Sequence, residues 1–419
     1  MLSPHRTAQT INVLMRLGSL AAKFLLALYM GRYLSLADVG TYGLVFGTVM
    51  ILAAIVGFKL DYIVTREIVG TTPEEALYRT RDQAIFYLLT NLAIAVVMVV
   101  LDAAGVLGID RHVLIYALPL SAGESIANIL YANMTSMHQP LRANAVFFVR
   151  AGLWVFPVII LGVIAPQYRT ADAVLIGWSL GVLASFAAVF KFWKHVPWGK
   201  LFARPIDWSW MRAGMRKSFF IWLGAFGVTL GVYIDRFVVM RYLGLDYVGV
   251  VTLYFSFVNA LFALMQSGVF SFVYPRLVLM HRQGDAESFR AETLRMAKEV
   301  ALFSGLAAVG MGVAISALGP AMQKPLLVSC LPTFWLMLLA IWVRMNAETL
   351  YNILFARHQD RAIWLGNLLF LIPSFGLNAL LVPIMGMPGI GYGALAASAF
   401  LFVWRWVHIG GRSFLHSRA

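Results

Sequence analysis

The chain has 419 residues, 61% of them hydrophobic and 12% charged, with a formal net charge of +14. Apolar runs of about 20 residues recur from end to end, which excludes an ordinary soluble enzyme. The charge does not point to nucleic acid, because the basic residues lie in loops between apolar runs and, unusually, inside them. The lone Cys330 sits in an apolar segment, says nothing of the redox compartment and cannot build a metal site.

Polar punctuation divides the sequence into twelve spans, at 11–31, 39–64, 84–104, 113–134, 143–165, 171–193, 218–240, 248–273, 300–318, 326–355, 362–385 and 389–409. The fold class expected is an all-α polytopic membrane protein. The first span is no cleavable signal, since it holds Arg16 and Lys23. On a helix, Asn12, Arg16, Ser19 and Lys23 fall four, three and four residues apart, forming one polar stripe about 16 Å long. A charge in the middle of a span costs about 3 kcal/mol against lipid, so this stripe should face water or a partner. A structural salt bridge is the plainer reading, and a cationic wall that receives an anion is the sharper one.

Twenty-one arginines and lysines, counting Lys191 at the end of the sixth span, lie on one side of the twelve-span layout, at the N-terminus, the even-to-odd loops and the C-terminal tail. Only Arg32, Arg111, Arg169, Arg241 and Lys324 lie on the other. Both termini are therefore expected in the cytoplasm. Arg32 to Gly40 recurs as Arg241 to Gly249, with six of nine positions identical at an offset of 209. Tyr131 and His138-Gln139 recur as Tyr351 and His358-Gln359, at an offset of 220. The eleven extra residues are expected after the eighth span, in 281–299, which reads as a charged amphipathic cytoplasmic helix. The tenth span is too long for one crossing and is expected to project into the cytoplasm. Six spans per half give two parallel six-helix lobes around a central cavity. The expected domains are 1–193, a basic cytoplasmic linker at 194–217, and 218–419.

Leaving aside Asp102, Asp172 and Lys191, which lie within a turn of span ends, seven cations lie inside spans, namely Arg16, Lys23, Lys59, Arg150, Arg236, Arg344 and Arg405, against the acids Asp61, Glu124, Asp235 and Glu348. Snorkelling explains Lys59, Asp61, Arg236 and Arg405, which lie near span ends. Arg344 and Glu348 are spaced to neutralise each other as an i,i+4 pair. Arg16, Lys23, Arg150 and Glu124 have no local partner, and Glu124 is the acid expected to meet one deep cation. Span seven repeats the stripe with Ser218, Trp222, Thr229, Tyr233 and Arg236, where the aromatics suit either sugar stacking or helix packing. The binding set read here is Arg16, Lys23, Arg150, Asn12, Ser19, Trp222, Tyr233 and Arg236. Glu124, Asp235, Arg344 and Glu348 are read as structural or coupling charges. No metal, cofactor, phosphate loop or carboxylate pair of an enzyme is legible.

The stretch Gly31-Arg-Tyr-Leu-Ser-Leu-Ala-Asp-Val-Gly-Thr-Tyr42 resembles the polysaccharide transporter family, as does Gly57-Phe-Lys-Leu-Asp-Tyr-Ile-Val-Thr-Arg-Glu-Ile68. Tyr233-Ile-Asp-Arg-Phe237 and Gly389-Ile-Gly-Tyr-Gly-Ala-Leu-Ala396 fit the same pattern. That family includes the O-antigen (Wzx-type) flippases of the multidrug/oligosaccharidyl-lipid/polysaccharide exporter superfamily. The resemblance implies a polyprenyl-diphosphate-linked oligosaccharide moved by alternating access across the bacterial inner membrane. It also implies membrane lipid, polysaccharide polymerase machinery, and a coupling ion or membrane potential as partners. The alternatives are a multidrug exporter of the same superfamily and a membrane polysaccharide polymerase or ligase. The intramembrane excess of cations disfavours a carrier of cationic drugs, and the short outward loops disfavour an enzyme.

Overall fold

A computed structural model describes residues 4–410 apart from 107, 195 and 197, and the only regular elements among them are helices. Two compact units emerge, one of Met1–Tyr29 with Thr41–Trp222 and one of Met30–Gly40 with Leu223–Ala419. The first holds most of α1 (Pro4–Tyr33) and α2 (Leu36–Ile55), then α3 (Asp61–Ile68), α4 (Pro73–Ala103) and α5 (Arg111–Ser136). It continues through α6 (Pro140–Phe148), α7 (Val155–Ile164), α8 (Ala171–Phe192), α9 (Trp198–Ala203) and the start of α10 (Trp208–Tyr233). The second holds α11 (Asp235–Tyr242), α12 (Leu245–Met265), α13 (Ser271–Gln283), α14 (Ala286–Leu318) and α15 (Pro325–Ser329). It ends with α16 (Leu331–Ala356), α17 (Asp360–Leu369), α18 (Leu371–Met385) and α19 (Met387–His408).

Helix starts follow local chemistry. The side chains of Thr72, Asp110, Thr170 and Asp285 accept from the N–H groups of Glu75, His112, Ala173 and Ser288, satisfying donors that a helix start leaves orphaned. Left-handed Gly284 ends α13, and α14 then runs 33 residues to Leu318. The charged stretch 281–299 is therefore not a separate amphipathic helix, because most of it forms the opening turns of the ninth span. Eleven helical segments among the described residues are long and apolar enough to cross a membrane, which makes this a multi-pass membrane protein. The exception is the tenth predicted span, where α16 carries Arg344, Asn346, Glu348 and Asn352. That span is not one overlong helix, since Cys330 separates the short α15 from the 26-residue α16.

The internal repeat is visible in backbone geometry. Helices α5 and α16 are each 26 residues long and end in the same turn. His138 and His358 take the unusual φ values of 60° and 55°. Gln139 N–H reaches Met134 O at 2.9 Å, and Gln359 N–H reaches Leu354 O at 2.9 Å. These are six-to-one bonds that close a helix C-terminus around a left-handed residue. The extra residues of the second half are not confined to the loop after span eight. Part of the surplus lengthens α14 beyond α4, and part forms the connection that carries α15.

Six predicted spans are interrupted, among them span ten at Cys330 and span eleven at Phe370, between α17 and α18. Span two breaks at Val56–Lys59, where Gly57, Phe58 and Lys59 have φ of 72°, 49° and 58°. A β-carbon on Gly57 would come within 2.1 Å of the Tyr87 ring, so only glycine fits. A π-helical turn at Val149–Leu153 interrupts span five, and another at Gln266–Phe270 interrupts span eight. Span seven breaks at Ile234, between α10 and α11.

Candidate functional site: the intramembrane cations

In the first unit, α1 presents its stripe to α5 and α6. Arg16 Nη2 donates to the Tyr131 hydroxyl at 3.1 Å and its Nε to Asn144 Oδ1 at 3.3 Å. Asn144 Nδ2 in turn donates to Asn12 Oδ1 at 3.0 Å, so Asn12 and Arg16 are joined through one amide. Arg16 is exposed and no carboxylate pairs with it among the described residues. Ser19 is only 2% exposed and donates to Met15 O at 3.0 Å, so its hydroxyl is spent on its own helix.

One and two turns further along α1 the environment changes. Glu124 of α5 receives Arg150 Nη1 at 3.5 Å and the Trp178 indole N–H at 2.7 Å. Arg150 is 5% exposed and also donates to Glu124 O at 3.3 Å. Its place on the π turn explains the reach, because such a turn rotates a side chain out of α-helical register. Lys23 lies near enough to feel both charges but makes no hydrogen bond or ion pair among the described residues. Its side chain remains exposed. Two cations here meet one acid that Arg150 already neutralises, so Lys23 has no carboxylate of its own among the described residues.

Ser218 and Trp222 have a task that the sequence did not disclose. Ser218 donates to Phe58 O at 2.8 Å, and the Trp222 indole donates to Ala54 O at 3.0 Å and Ile55 O at 3.2 Å. These carbonyls belong to the last turn of α2 and the break after it, where helical partners are lost. The Phe58 and Trp222 rings meet at a tilt of 39°, with centroids 4.7 Å apart. At the same break Lys59 pairs with Asp61 at 3.1 Å, and the Tyr87 hydroxyl donates to Asp61 at 3.1 Å.

In the second unit Arg236 is completely buried and pairs with Asp235 at 2.8 Å. The rings of Tyr233 and Phe255 lie 5.1 and 4.3 Å from its guanidinium carbon. Arg236, beside the Ile234 break, is thus enclosed by protein rather than snorkelling from a span end as expected. Arg344 and Glu348 do not form the expected one-turn pair. Glu348 meets Arg405 of α19 at 3.1 Å, and Arg405 also donates to Ala347 O at 2.9 Å and Asn367 Oδ1 at 3.1 Å. Arg405 is thus a buried pairing partner at 3% exposure rather than a snorkelling cation. Arg344 is left among aromatic faces, with Phe370 at 5.3 Å and Phe262 at 5.7 Å, and it makes no ion pair or hydrogen bond among the described residues. Cation–π contact holds a guanidinium but leaves its five donors free. Among the described residues no cluster of His, Cys, Asp or Glu could hold a metal ion.

The sequence matches no protein-family profile and no curated protein. The fold does match solved structures. It resembles a multidrug resistance MATE-family transporter of the MOP superfamily in its inward-facing conformation, at TM-score 0.65 and 13% identity, covering 96% of this chain and 100% of that one. It resembles the lipid II flippase MurJ in an inward closed conformation, at TM-score 0.71 and 12% identity, covering 97% and 89%. A mutant of the Vibrio cholerae MATE transporter VcmN matches at TM-score 0.60 and 14% identity, covering 98% and 97%. This chain shares the fold of these transporters. At these identities the likeness is one of architecture, and the residues above must carry the chemistry.

Proposed function

We propose that this protein is a flippase for a polyprenyl-diphosphate-linked oligosaccharide, such as an O-antigen or exopolysaccharide repeat unit. It would act in the bacterial inner membrane with both termini in the cytoplasm. The observation that carries this reading is the state of the intramembrane charges. Asp61, Glu124, Asp235 and Glu348 each have a basic partner, while Arg16, Lys23 and Arg344 have no carboxylate of their own among the described residues. A diphosphate crossing about 30 Å of hydrocarbon needs unspent positive charge along its path. A cationic drug needs the reverse, and each of the four acids is already engaged.

Arg16 and Lys23 lie about 10.5 Å apart along α1. The diphosphate therefore meets them in turn, with Arg16 the first acceptor and Lys23 the second. Arg344 supplies the corresponding cation in the second unit. Each is a single charge rather than a bidentate cage, which lets the cargo leave again. In the first unit Asn12 is joined to Arg16 through Asn144 and Arg150 is held by Glu124, while in the second Arg236 is paired with Asp235 and lies against the Tyr233 ring.

Proteoliposomes separate the two transport readings. With this protein, a fluorescent polyprenyl-diphosphate saccharide should become accessible to an enzyme on the far leaflet, and a lipophilic cationic dye should not be exported. Dye export without movement of the saccharide lipid would replace this reading with the multidrug one.

A further inference from the structure

At the arginine-rich ends of the first unit's spans, a cavity of about 480 Å³ opens between the start of α4, the α5–α6 turn, the end of α8 and Leu201 of α9. Its polar lining includes Glu74, Tyr78, Gln139 and Arg142, and most of the remainder is apolar, with Phe192 and Trp193 prominent. Charges of both signs therefore share one cavity, yet Glu74 and Arg142 form no ion pair with each other. Among the described residues Glu74 accepts only the Tyr78 hydroxyl, at 3.2 Å. Among them Arg142 donates only to Gln139 Oε1, at 3.4 Å, with the Phe192 ring 5.8 Å from its guanidinium carbon. A carboxylate offers about four acceptor sites and a guanidinium five donors, so both keep most of their capacity.

A ligand that satisfies this lining carries an ammonium and a phosphate on a short spacer, joined to an apolar body. The depth agrees, because the cavity lies where spans end and aromatic side chains gather, the level of lipid headgroups. We infer that this cavity is a binding site for an aminophospholipid headgroup, with phosphatidylethanolamine as its ligand. The ammonium donates to Glu74, the phosphate accepts from Arg142, and the glycerol and first acyl carbons lie against the apolar lining. A trimethylated headgroup has no N–H to give Glu74, and a purely anionic one meets the carboxylate unfavourably. The inference is independent of the cargo.

The full chain in nanodiscs of phosphatidylcholine, alone or mixed with phosphatidylethanolamine or phosphatidylglycerol, tests it by native mass spectrometry after partial delipidation. One phosphatidylethanolamine per chain should be retained in preference to the other two lipids. Glu74→Gln and Arg142→Gln should each weaken that retention about tenfold or more, the worth of one charge-assisted hydrogen bond. Melting in phosphatidylcholine alone should be unchanged in both variants. The proposal falls if wild-type protein retains the three lipids equally or prefers phosphatidylglycerol, a comparison that needs no variant to fold. It also falls if Glu74→Gln keeps phosphatidylethanolamine at the wild-type level.

Discussion

Gly249 at the start of α12 lies against the backbone carbonyl of Leu36 at the start of α2, and a β-carbon there would sit 2.1 Å from that oxygen. The repeat returns the contact, for a β-carbon on Gly40 would sit 2.3 Å from the carbonyl oxygen of Leu245. Leu36 and Leu245 occupy the same place in the repeat, as do Gly40 and Gly249, so the crossing has approximate two-fold symmetry. Nearby, Arg32 donates to Gln323 Oε1 at 2.6 Å and Lys324 donates to Leu34 O, fastening the turn before α2 to the connection before α15.

Alanine at either glycine tests that crossing. In a free helix the change from glycine would stabilise by about 0.5–1 kcal/mol. Here the added methyl must push two backbones apart, which costs about 1–3 kcal/mol. Gly40→Ala and Gly249→Ala should each lower the melting temperature of the purified protein. An unchanged or raised melting temperature would show that the two helix starts are not held at this separation.

The Glu348–Arg405 pair makes a prediction of the opposite kind from Arg344. Glu348→Gln strands a buried guanidinium and should destabilise the protein by about 3–5 kcal/mol, while Glu348→Gln with Arg405→Met should recover most of it. Arg344→Gln removes a charge with no ion-pair partner among the described residues and should cost only about 1 kcal/mol, the worth of its cation–π contacts. Chemical unfolding in detergent distinguishes these, and a failure of the double variant to recover would mean that the pair is not the unit of stability.

Arg79 and Arg81 hold the segment that follows α8 onto α4. Arg81 donates to the carbonyls of Leu201, Arg204 and Pro205 and pairs with Asp82, while Arg79 meets Asp207 at 3.2 Å. The Ser209 hydroxyl, the Trp210 N–H and Arg79 hold the Asp207 carboxyl below its ordinary value near 3.8. A depressed carboxylate pKa contributes stability that is fully present above the ordinary value and is lost as pH falls through the lowered one. The melting temperature of Asp207→Asn should therefore lie below wild type at pH 7, with the gap closing below pH 4. A gap that persists or widens in acid would contradict this docking.

The sequence discloses what depends on periodicity and misses what depends on contact. The α1 stripe is readable because Asn12, Arg16 and Lys23 recur at helical spacing, and the repeat is readable because His138 and His358 sit in matched turns. Phe58 and Lys59 in left-handed conformation have no signal beyond the neighbouring Gly57. The π turn that turns Arg150 toward Glu124 has none either. Glu348 has Arg344 one turn away, yet it takes Arg405, 57 positions along the chain, because α16 and α19 pack together. The same limit applies to Ser218 and Trp222, whose polar groups read as cavity lining but serve the carbonyls freed where α2 ends.

The central claim is that unspent cations carry an anionic cargo, and Lys23 with Arg344 tests it most directly. The measurement is the initial rate at which a fluorescent polyprenyl-diphosphate saccharide crosses proteoliposomes containing equal amounts of wild type, Lys23→Gln, Lys23→Arg, Arg344→Gln and the Lys23→Gln/Arg344→Gln double variant. Losing one charge contact at the barrier should slow crossing about tenfold or more in each glutamine variant. Lys23→Arg should retain an intermediate rate, because charge matters more there than fork geometry. Crossing by the uncharged double variant at the wild-type rate would contradict the account.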